Sequence, residues 1–325
     1  MPRSPFTCRT ILFIAATLGL TPCAFAQEKY PARPIEMIIP TAPGGGTDIA
    51  LRMLAELVEP KLGQRIAIIN KTGGSGAVGM NAITQGKPDG YTIGGLCNAP
   101  LTMVPHILPT PYQPTDYATV SLVTWAPLLL CTKKDFPAND GKELIEAIRS
   151  NPGKYSYGND GVGATVHLAM ERIFGKLGVK AKAVPFAGAG ETLKAFLGDH
   201  IDMYGGSIAP IQPYLKNSSA KCLIVTSAER NPVLPQASSL ADLGVPNEST
   251  VLWRGIIAPK AVPAERLAVL ETAFAEAASS ARFREFMESR GEEARGTSGA
   301  DLRKLIDNEF AAHAQIMKDV GLNKK

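Results

Sequence analysis

The chain has 325 residues, of which 20% are charged and 45% are hydrophobic, and its formal net charge is +4. Basic and acidic side chains are interspersed without a basic block, so the composition excludes the electrostatic pattern of a protein that binds nucleic acid or anionic lipid. The length is sufficient for two domains.

A signal peptide is predicted at residues 1–26. Arg3 and Arg9 give a basic start, residues 11–20 are apolar, and residues 24–26 form the small-x-small site that a signal peptidase cleaves. The apolar run is too short for a permanent membrane-spanning helix, which needs roughly 20 residues. We therefore expect cleavage and a soluble product in the periplasm.

Strands and helices alternate in the first part of the chain. Apolar runs predict strands at 35–39, 65–70 and 91–97. Glycine-rich turns follow the first two strands, and leucines at helical spacing predict a helix that ends at Gly63. This alternation is typical of parallel βαβ units with both sheet faces covered.

A second α/β set is predicted after residue 127. Its strands are predicted at 128–132, 155–158, 181–186, 201–204 and 221–226. Asp140 begins one helix, with Glu143 in a capping-box-like position, and residues 165–177 form another helix. Two helices are predicted in the tail, and Ser298 with Asp301 makes the capping box of the last one. The fold class is therefore α/β.

Three cysteines follow the predicted leader, at Cys97, Cys131 and Cys222. All three lie in apolar, strand-like runs, which favours buried free thiols over a disulfide framework. Because the number is odd, at least one thiol is expected to stay unpaired.

Three glycine-rich turns carry the candidate chemistry, at residues 42–48, 159–165 and 187–192. Each follows an apolar strand and opens a helix. Glycine lets backbone amides approach a ligand closely, and a helix start offers unpaired N–H groups with partial positive charge. Such a turn binds an anion without arginine or lysine. One turn alone is an ordinary part of a βα unit, but three of them favour a shared ligand.

Other site motifs are incomplete. Residues 74–79 match G-x-G-x-x-G, but a dinucleotide site needs an acidic residue about 20 positions later, near Asn98, and none is there. The surroundings of Ser75 do not match a nucleophile elbow, and the four histidines lack metal-ligand spacing. We therefore expect no cofactor, no metal and no enzymatic activity. His167 is expected either to form a polar wall of a cleft or to be half-buried and hydrogen-bonded.

Many short segments carry a resemblance to one family. They are 30–35, 40–48, 70–79, 88–92, 120–123, 151–154, 167–169, 184–186, 198–202, 225–227 and 253–255. Because these segments occur in this order along one chain, the chain resembles the substrate-binding proteins of tripartite tricarboxylate transporters, often called Bug proteins. The resemblance implies a two-domain periplasmic binding protein fold with a ligand cleft between the lobes. It also implies a carboxylate ligand held by backbone amides and water, and delivery to a membrane permease.

The resemblance also implies a domain organisation. Domain 1 is expected at residues 30–125 plus 253–325, and domain 2 at 126–252. We expect a monomer that binds a small-molecule carboxylate and no nucleic acid.

The expected ligand-binding residues lie in the turns and at strand ends. They are Thr41, Gly44, Gly45, Gly46, Thr47, Asp48, Asn98, Gly163, Ala164, Thr165, His167, Phe186, Gly188, Ala189, Asp202 and Arg254. Arg254 is expected either to be the ligand's counter-ion or to brace the hinge by pairing with a carboxylate of the other lobe.

Some residues depart from the family's pattern. Phe186 stands where relatives often have tyrosine followed by lysine, Asp160 adds a carboxylate near an anion site, and Trp125 replaces a small residue. These differences predict a larger or more apolar ligand than a simple amino acid. An aromatic dicarboxylate resembling terephthalate is the alternative ligand, favoured by Trp125, Phe186 and Trp253. A secreted transferase or hydrolase is the alternative from another functional class.

Overall fold

The structure is a computed structural model that describes residues 1–2 and 29–322. The predicted leader, apart from its first two residues, lies outside the described residues. Within the described part of the chain, no helix combines the length and the hydrophobicity needed to cross a membrane.

Strands and helices alternate along most of the chain. The strands are β1 (Ile35–Ile39), β2 (Ile66–Asn70), β3 (Thr92–Cys97), β4 (Tyr117–Pro127), β5 (Leu129–Lys133), β6 (Ser156–Asn159), β7 (Lys182–Pro185), β8 (Met203–Gly206), β9 (Ala220–Val225), β10 (Val251–Pro259) and β11 (Glu293–Thr297). The helices are α1 (Gly46–Leu62), α2 (Ala77–Thr84), α3 (Gly141–Ser150), α4 (Thr165–Leu177), α5 (Ala189–Leu197), α6 (Ile208–Lys216), α7 (Ala264–Ala278), α8 (Ala281–Glu288) and α9 (Gly299–Asp319).

The first sheet has the strand order β11-β4-β10-β3-β1-β2. β1 pairs in parallel with β2 and β3, as the alternation of strands and helices predicts. β10 is antiparallel to both β3 and β4, and β11 is antiparallel to β4. The sheet is therefore mixed and not purely parallel, and every antiparallel pair in it involves β4 or β10, which, like β11, were not predicted as strands.

The second sheet has the order β7-β6-β8-β5-β9. β6 is parallel to β7 and β8, whereas β5 is antiparallel to β8 and β9. The chain passes from the first sheet to the second between Pro127 and Leu129, and it returns through β10 at Val251. We call the part built on the first sheet the first half and the part built on the second sheet the second half.

Side chains of β1 show how the first sheet is covered on both faces. Ile35, Met37 and Ile39 pack in a core with α1, α7 and α8, whereas Ile38 joins the core that contains Met80 of α2. Successive strand residues point to opposite faces, so this run, which is apolar except for Glu36, serves two cores at once. The C-terminal ends of the strands are thereby held rigidly in place.

Helix ends follow their sequence signals closely. α1 ends at Leu62, and Gly63 adopts a left-handed conformation with φ of 66°. The capping box of Ser298 and Asp301 at the start of α9 is confirmed. At α3, Asp140 accepts a hydrogen bond from Glu143 N, but the Glu143 carboxylate accepts from Asn139 N, so that box is incomplete.

Two of the three cysteines are bonded, so the prediction of free thiols is wrong for them. Cys131 on β5 and Cys222 on β9 form a disulfide. They face each other across neighbouring antiparallel strands, a proximity that a sequence separation of 91 residues does not reveal. Cys97 is buried and free, which agrees with the expected unpaired thiol.

Candidate functional site

A cavity of about 270 Å³ lies where the C-terminal ends of strands from the two halves meet. The first half contributes Pro40, Thr41, Gly73, Gly74, Ser75, Gly76, Cys97, Ala99 and Pro100. The second half contributes Asp160, Gly161, Val162, Ala164, Pro185, Phe186 and Ala187. These residues lie at or just after the ends of β1, β2, β3, β6 and β7. Ligands of open α/β sheets bind beyond the carboxyl ends of the strands, and this cavity, which we call the outer cavity, has that location.

A smaller inner cavity of about 30 Å³ continues from it. Three helices begin at its wall: α1 with residues 45–47, α5 with residues 188–189, and α6 after residues 206–207. The volume is enough for about two water-sized groups. The two cavities share Thr41, Cys97 and Asp160.

The three helices at the inner cavity start without side-chain caps. Their N-cap residues are Gly45, Gly188 and Ser207, and no side chain at these positions accepts a hydrogen bond from the first helical turn. The first N–H groups of a helix have no intrahelical partner and carry partial positive charge. The convergence of three such helix starts makes the inner cavity suitable for an anion.

Asp48 stabilises the first turn instead of lining a cavity. Its Oδ2 atom accepts hydrogen bonds from Gly44 N and Arg52 Nε, both at 2.9 Å, and its Oδ1 accepts from Asn70 Nδ2 at 2.9 Å. Burial acts to raise the pKa of Asp48, but the hydrogen bonds from Arg52, Gly44 and Asn70 outweigh it and lower that pKa. The carboxylate is therefore charged and fully engaged within the first half.

Asp160 has the opposite placement. Its Oδ1 accepts a hydrogen bond from Val166 N at 2.9 Å, so the carboxylate lies at the start of α4. Burial raises the pKa of Asp160 to about 6, although backbone N–H groups of the same helix start act to lower it. Asp160 lines both cavities, so the second turn presents its own carboxylate to the site.

His167 is buried and hydrogen-bonded, which was one of the two expectations for it. Its Nδ1 accepts from Gly163 N at 2.8 Å, and its Nε2 lies 3.8 Å from a carboxylate oxygen of Glu171. Burial lowers the pKa of the His167 imidazole. The ring therefore fixes the shape of the second turn and does not line either cavity.

Direct hydrogen bonds join the halves around the cavities. Thr165 Oγ1 donates to Asn98 Oδ1 at 2.9 Å across the halves, and Asn98 Nδ2 donates to Val251 O at 3.0 Å within the first half. Ala42 N donates to Ala187 O at 3.2 Å, and Ser75 Oγ donates to Val162 O at 3.0 Å (these contacts also cross between the halves). Asn98 and Thr165 thus connect the halves instead of facing the cavity.

Arg254 is completely buried behind the first turn. Its Nη1 lies 2.5 Å from Glu292 Oε2 and 3.0 Å from Thr124 Oγ1, and its Nε donates to Thr47 Oγ1 at 3.3 Å. Glu292 immediately precedes β11, so the expected pairing with the other lobe is wrong and the brace lies within the first half.

Two buried donors converge at the start of α1. Arg254 Nη2 and Ser207 Oγ have no hydrogen-bond partner among the described residues. Both lie beside the position that a Cβ on Gly46 would occupy, with the Nη2 atom 3.0 Å from it. Glycine at 46 therefore lets groups from both halves approach the same helix start.

Half of the expected ligand-binding residues line the cavities. They are Thr41, Gly45, Gly46, Thr47, Ala164, Phe186, Gly188 and Ala189. The others do not line either cavity: Gly44, Asp48, Asn98, Gly163, Thr165, His167, Asp202 and Arg254.

Asp202 is the clearest correction to the expected site. It precedes β8, whereas the inner cavity lies beyond the other end of that strand, at Gly206. Its exposed carboxylate accepts hydrogen bonds from the backbone and hydroxyl of Ser156, both at 2.7 Å. Asp202 joins the starts of β6 and β8 and has no place in the candidate site.

Several lining residues were missed from the sequence. Residues 73–76 form part of the outer wall, although they were considered as a nucleotide motif, as a nucleophile elbow and as part of the family resemblance, and not as ligand-binding residues. Ser207 follows a strand that ends in two glycines and precedes α6, which is the same strand–glycine–helix pattern as in the predicted turns. Applying that pattern to the whole sequence finds both segments.

The three aromatic side chains considered for an aromatic ligand are in different places. Phe186 lines the outer cavity. Trp253 is fully buried in the core, and Trp125 packs at the edge of that core, opposite Trp253 on the neighbouring strand. Among the described residues there is also no cluster of three or more histidine, cysteine, aspartate or glutamate side chains that could hold a metal ion.

Comparison with known proteins places this architecture in context. A family model described as the tripartite tricarboxylate transporter family receptor matches residues 50–322. The solved structure of the periplasmic binding protein BugD is 29% identical, with a TM-score of 0.86 over 91% of this chain and 100% of BugD.

Two solved structures of similar proteins contain ligands. The Rpa4515 protein of R. palustris with adipate is 27% identical, with a TM-score of 0.86 over 91% of this chain and 100% of that one. MatC of Rhodopseudomonas palustris with bound malate is 25% identical, with a TM-score of 0.82 over 88% of this chain and 99% of that one.

Proposed function

The chain belongs to the tripartite tricarboxylate transporter receptor family, and we propose that it captures a small organic carboxylate in the periplasm for the membrane permease of such a transporter. Like its structural relatives, it is a solute-binding protein of the Bug type and not an enzyme. The predicted leader and the periplasmic location of BugD support export of this chain.

The observation that carries the proposal is the position of the cavities. Both lie between the halves, beyond the carboxyl ends of parallel strands from each sheet, and three uncapped helix starts meet at the inner one. Neither half alone encloses this space. A ligand that touches both halves therefore stabilises their contact, as a transport receptor requires.

The helix starts, and not charged side chains, favour an anion that is bound by amides in the inner cavity. No lysine or arginine is among the residues that line either cavity in the described part of the chain. Arg254 lies behind the start of α1, where it pairs with Glu292, and it does not form the wall. An ionised carboxylate is the metabolite group that suits such a site.

The size of the outer cavity favours a compact ligand. Its 270 Å³ is slightly below the range of about 300–1,000 Å³ that is usual for pockets of drug-sized molecules. Adipate and malate, the ligands of the two similar proteins, are short dicarboxylates, and we propose an acid of comparable size. An aromatic dicarboxylate is the second candidate, favoured by the Phe186 ring in the outer wall.

The proposal divides the chain into two lobes. Lobe 1 comprises residues 30–125 and 253–325, and lobe 2 comprises residues 126–252. This division is supported by the passage of the chain between the sheets after Pro127 and its return in β10. We propose that the protein acts as a monomer, because one chain supplies both walls of the cavity.

A thermal-shift screen tests the proposed ligand class. Protein comprising residues 27–325 is unfolded and refolded to remove carried-over ligand, and is then screened against mono-, di- and tricarboxylates. An acid at a hundredfold excess over its dissociation constant adds about 2.7 kcal/mol to the free energy of unfolding. Chromatography of each mixture checks for turnover. A screen without any stabilising acid, or a screen that yields product, contradicts the proposal.

A further inference from the structure

One ionisable carboxylate stands between the two cavities. Of the three residues that the cavities share, Thr41 is uncharged and Cys97 is a buried thiol whose pKa burial raises to about 11. Asp160 is therefore the shared residue that carries charge at neutral pH. A ligand that extends from the inner cavity into the outer one must pass it.

The position of Asp160 is fixed by its own half. Its Oδ1 accepts the N–H of Val166, and the neighbouring turn is held by the hydrogen bond from Gly163 N to His167 Nδ1. A carboxylate has about four acceptor positions, so this contact leaves it with capacity for a further donor. The carboxylate cannot move away from a ligand without losing its contact with α4.

An anionic ligand brings a second negative charge to this place. Helix starts at Gly45, Gly188 and Ser207 favour the ligand carboxylate in the inner cavity, next to Asp160. Two neighbouring carboxylates repel each other unless a proton or a donor group lies between them. Burial raises the pKa of Asp160 to about 6 although the backbone N–H groups at the start of α4 act to lower it, so at pH 7.5 the carboxylate is mainly ionised and a donor on the ligand relieves the repulsion.

We propose that Asp160 determines specificity by accepting a hydrogen bond from a hydroxyl or ammonium group that the ligand carries beside its carboxylate. The inference rests on the proposed function and specifies its ligand further: hydroxy- or amino-substituted acids bind better than the unsubstituted acids of the same length. Thr41 Oγ1, which has no hydrogen-bond partner among the described residues, supplies a polar group on the opposite wall.

The protonation of Asp160 can be followed by changing the pH, because few of the groups near it titrate in the same range. The titratable groups that interact electrostatically with Asp160 are Cys97 on β3, Tyr157 on β6 and Tyr204 on β8. Further charged or titratable groups next to these are His167 and Glu171 on α4, Arg254 on β10 and Glu292 before β11. Burial raises the pKa of Cys97, Tyr157 and Tyr204, so these groups stay neutral at and below pH 7.5, and burial lowers the pKa of His167, which favours its neutral imidazole. Asp160, with its pKa of about 6, changes charge just below this range.

The experiment uses pairs of acids that differ in one substituent. Calorimetric titrations compare succinate with malate and aspartate, and glutarate with 2-hydroxyglutarate and glutamate, on the protein comprising residues 27–325. We expect at least a tenfold preference for a substituted acid. Asp160→Ala should reduce that preference to within about twofold. Comparing the hydroxy acids with the amino acids shows whether the donor is a hydroxyl or an ammonium group. Asp160→Asn tests whether the negative charge of Asp160 is needed.

A matched control and a pH series complete the test. Asp140→Asn changes an aspartate that also accepts a backbone N–H at a helix start but does not line either cavity, and it should leave the preference unchanged. Between pH 7.5 and 5.0 the affinity for the preferred acid should fall about tenfold relative to the Asp160→Asn variant, since about a tenth of Asp160 is then ionised. That comparison also removes the effect of Glu309, whose pKa burial raises to about 7.

Each outcome has a defined meaning. Loss of the preference in Asp160→Ala, with both variants folded by thermal melting, supports the inference. A preference that Asp160→Ala leaves unchanged overturns the inference. An affinity that rises on acidification in the wild-type protein but not in Asp160→Asn also overturns it, because Asp160 then donates a proton. If substituted and unsubstituted acids bind equally well, the inference fails and the proposed function stands. If no acid of any length binds, the proposed function itself fails.

Discussion

The turns at the starts of α1 and α4 have similar sequences but treat charge in opposite ways. In the first turn, Asp48 accepts hydrogen bonds from Gly44, Arg52 and Asn70 and leaves the start of α1 without a side-chain cap. In the second turn, Asp160 lies over the start of α4 and lines both cavities. The first helix start is open to a foreign anion, and the second is already occupied by the chain's own carboxylate.

The position of each aspartate along its helix explains the difference. Asp48 is the third residue of α1, four residues before Arg52 on the same helix face, so the two side chains meet beside the helix. Asp160 precedes the N-cap residue Ala164 and reaches the free N–H of Val166. Glycine content alone therefore does not define an anion site, because the placement of the nearest carboxylate decides what the helix start can accept.

The largest expected effect concerns the support of the first turn. Arg254→Met removes the brace that reaches Thr47 and leaves the buried Glu292 carboxylate without its cation. We expect the free energy of unfolding to fall by about 3–5 kcal/mol, measured by urea denaturation. Adding Glu292→Gln should restore most of the loss, since it removes the unpaired charge. Equal stability of Arg254→Met and the unchanged protein would show that the first turn needs no such brace.

The second effect tests whether the first turn accepts the ligand. Gly45 has an extended backbone with φ of −76°, and a Cβ added there would lie 3.4 Å from Gly190 N. Gly45→Val should therefore block the inner cavity without backbone strain and weaken carboxylate binding at least about 100-fold, equivalent to about 2.7 kcal/mol. Gly175→Val is the control, because open space surrounds Gly175 on α4.

Unchanged affinity in Gly45→Val would contradict an anion site at the first turn. The corresponding position of the second turn gives no equally clean test. Gly163 has φ of 64°, and a Cβ there would collide with Ile107. A side chain at Gly163 strains the backbone and disturbs the contact between the halves, so lost binding would not identify a ligand contact.

The smallest expected effects have opposite signs at the two aspartates. Asp48→Asn should lower the free energy of unfolding at pH 7 by about 1–3 kcal/mol, because hydrogen bonds to a charged acceptor are lost. Asp160→Asn should cost nothing or add up to about 1 kcal/mol, because burial disfavours the charged form of Asp160. Urea titrations of both variants measure the difference.

The pH dependence of stability follows from the same two groups. The pKa of Asp48 is lowered in the folded state, so its contribution is present above the unfolded pKa near 4 and is lost as the pH falls further. The pKa of Asp160 is raised, so its protonation favours the folded state at low pH and this advantage disappears as the pH rises through about 6. If Asp48→Asn and Asp160→Asn both lowered the free energy of unfolding at pH 7, the contrast between the two turns would be contradicted.

Local signals in the sequence predicted much of the fold. The helix predicted at residues 165–177 is observed as Thr165–Leu177, and the first strand is observed as Ile35–Ile39. Both segments have strong hydrophobic patterns and clear end signals. By contrast, β11 has the sequence Glu-Ala-Arg-Gly-Thr and becomes a strand through its pairing with β4. Such a strand depends on tertiary contacts that its own residues do not indicate.

The candidate site could be predicted only in part for the same reason. The sequence predicted the small residues that follow strands as site residues, because the strand–glycine–helix pattern is local. Cys131–Cys222 and Arg254–Glu292 are contacts between residues that are distant in the chain, and their partners become evident only when the strands are paired. Asp202 was included through its sequence segment alone, and the direction of β8 places it at the wrong end of the strand.

The most direct measurement of carboxylate capture compares one acid with its ester. Calorimetry at pH 7.5 measures the binding of the dicarboxylate that stabilises the protein most in the thermal-shift screen, and then of its dimethyl ester. Carboxyl groups titrate near pH 4, so the acid is ionised at pH 7.5, whereas the ester carries no charge for the helix starts to attract. We predict that the ester binds at least about 100-fold more weakly, equivalent to about 2.7 kcal/mol. Equal affinities of acid and ester would contradict an anion site between the two halves.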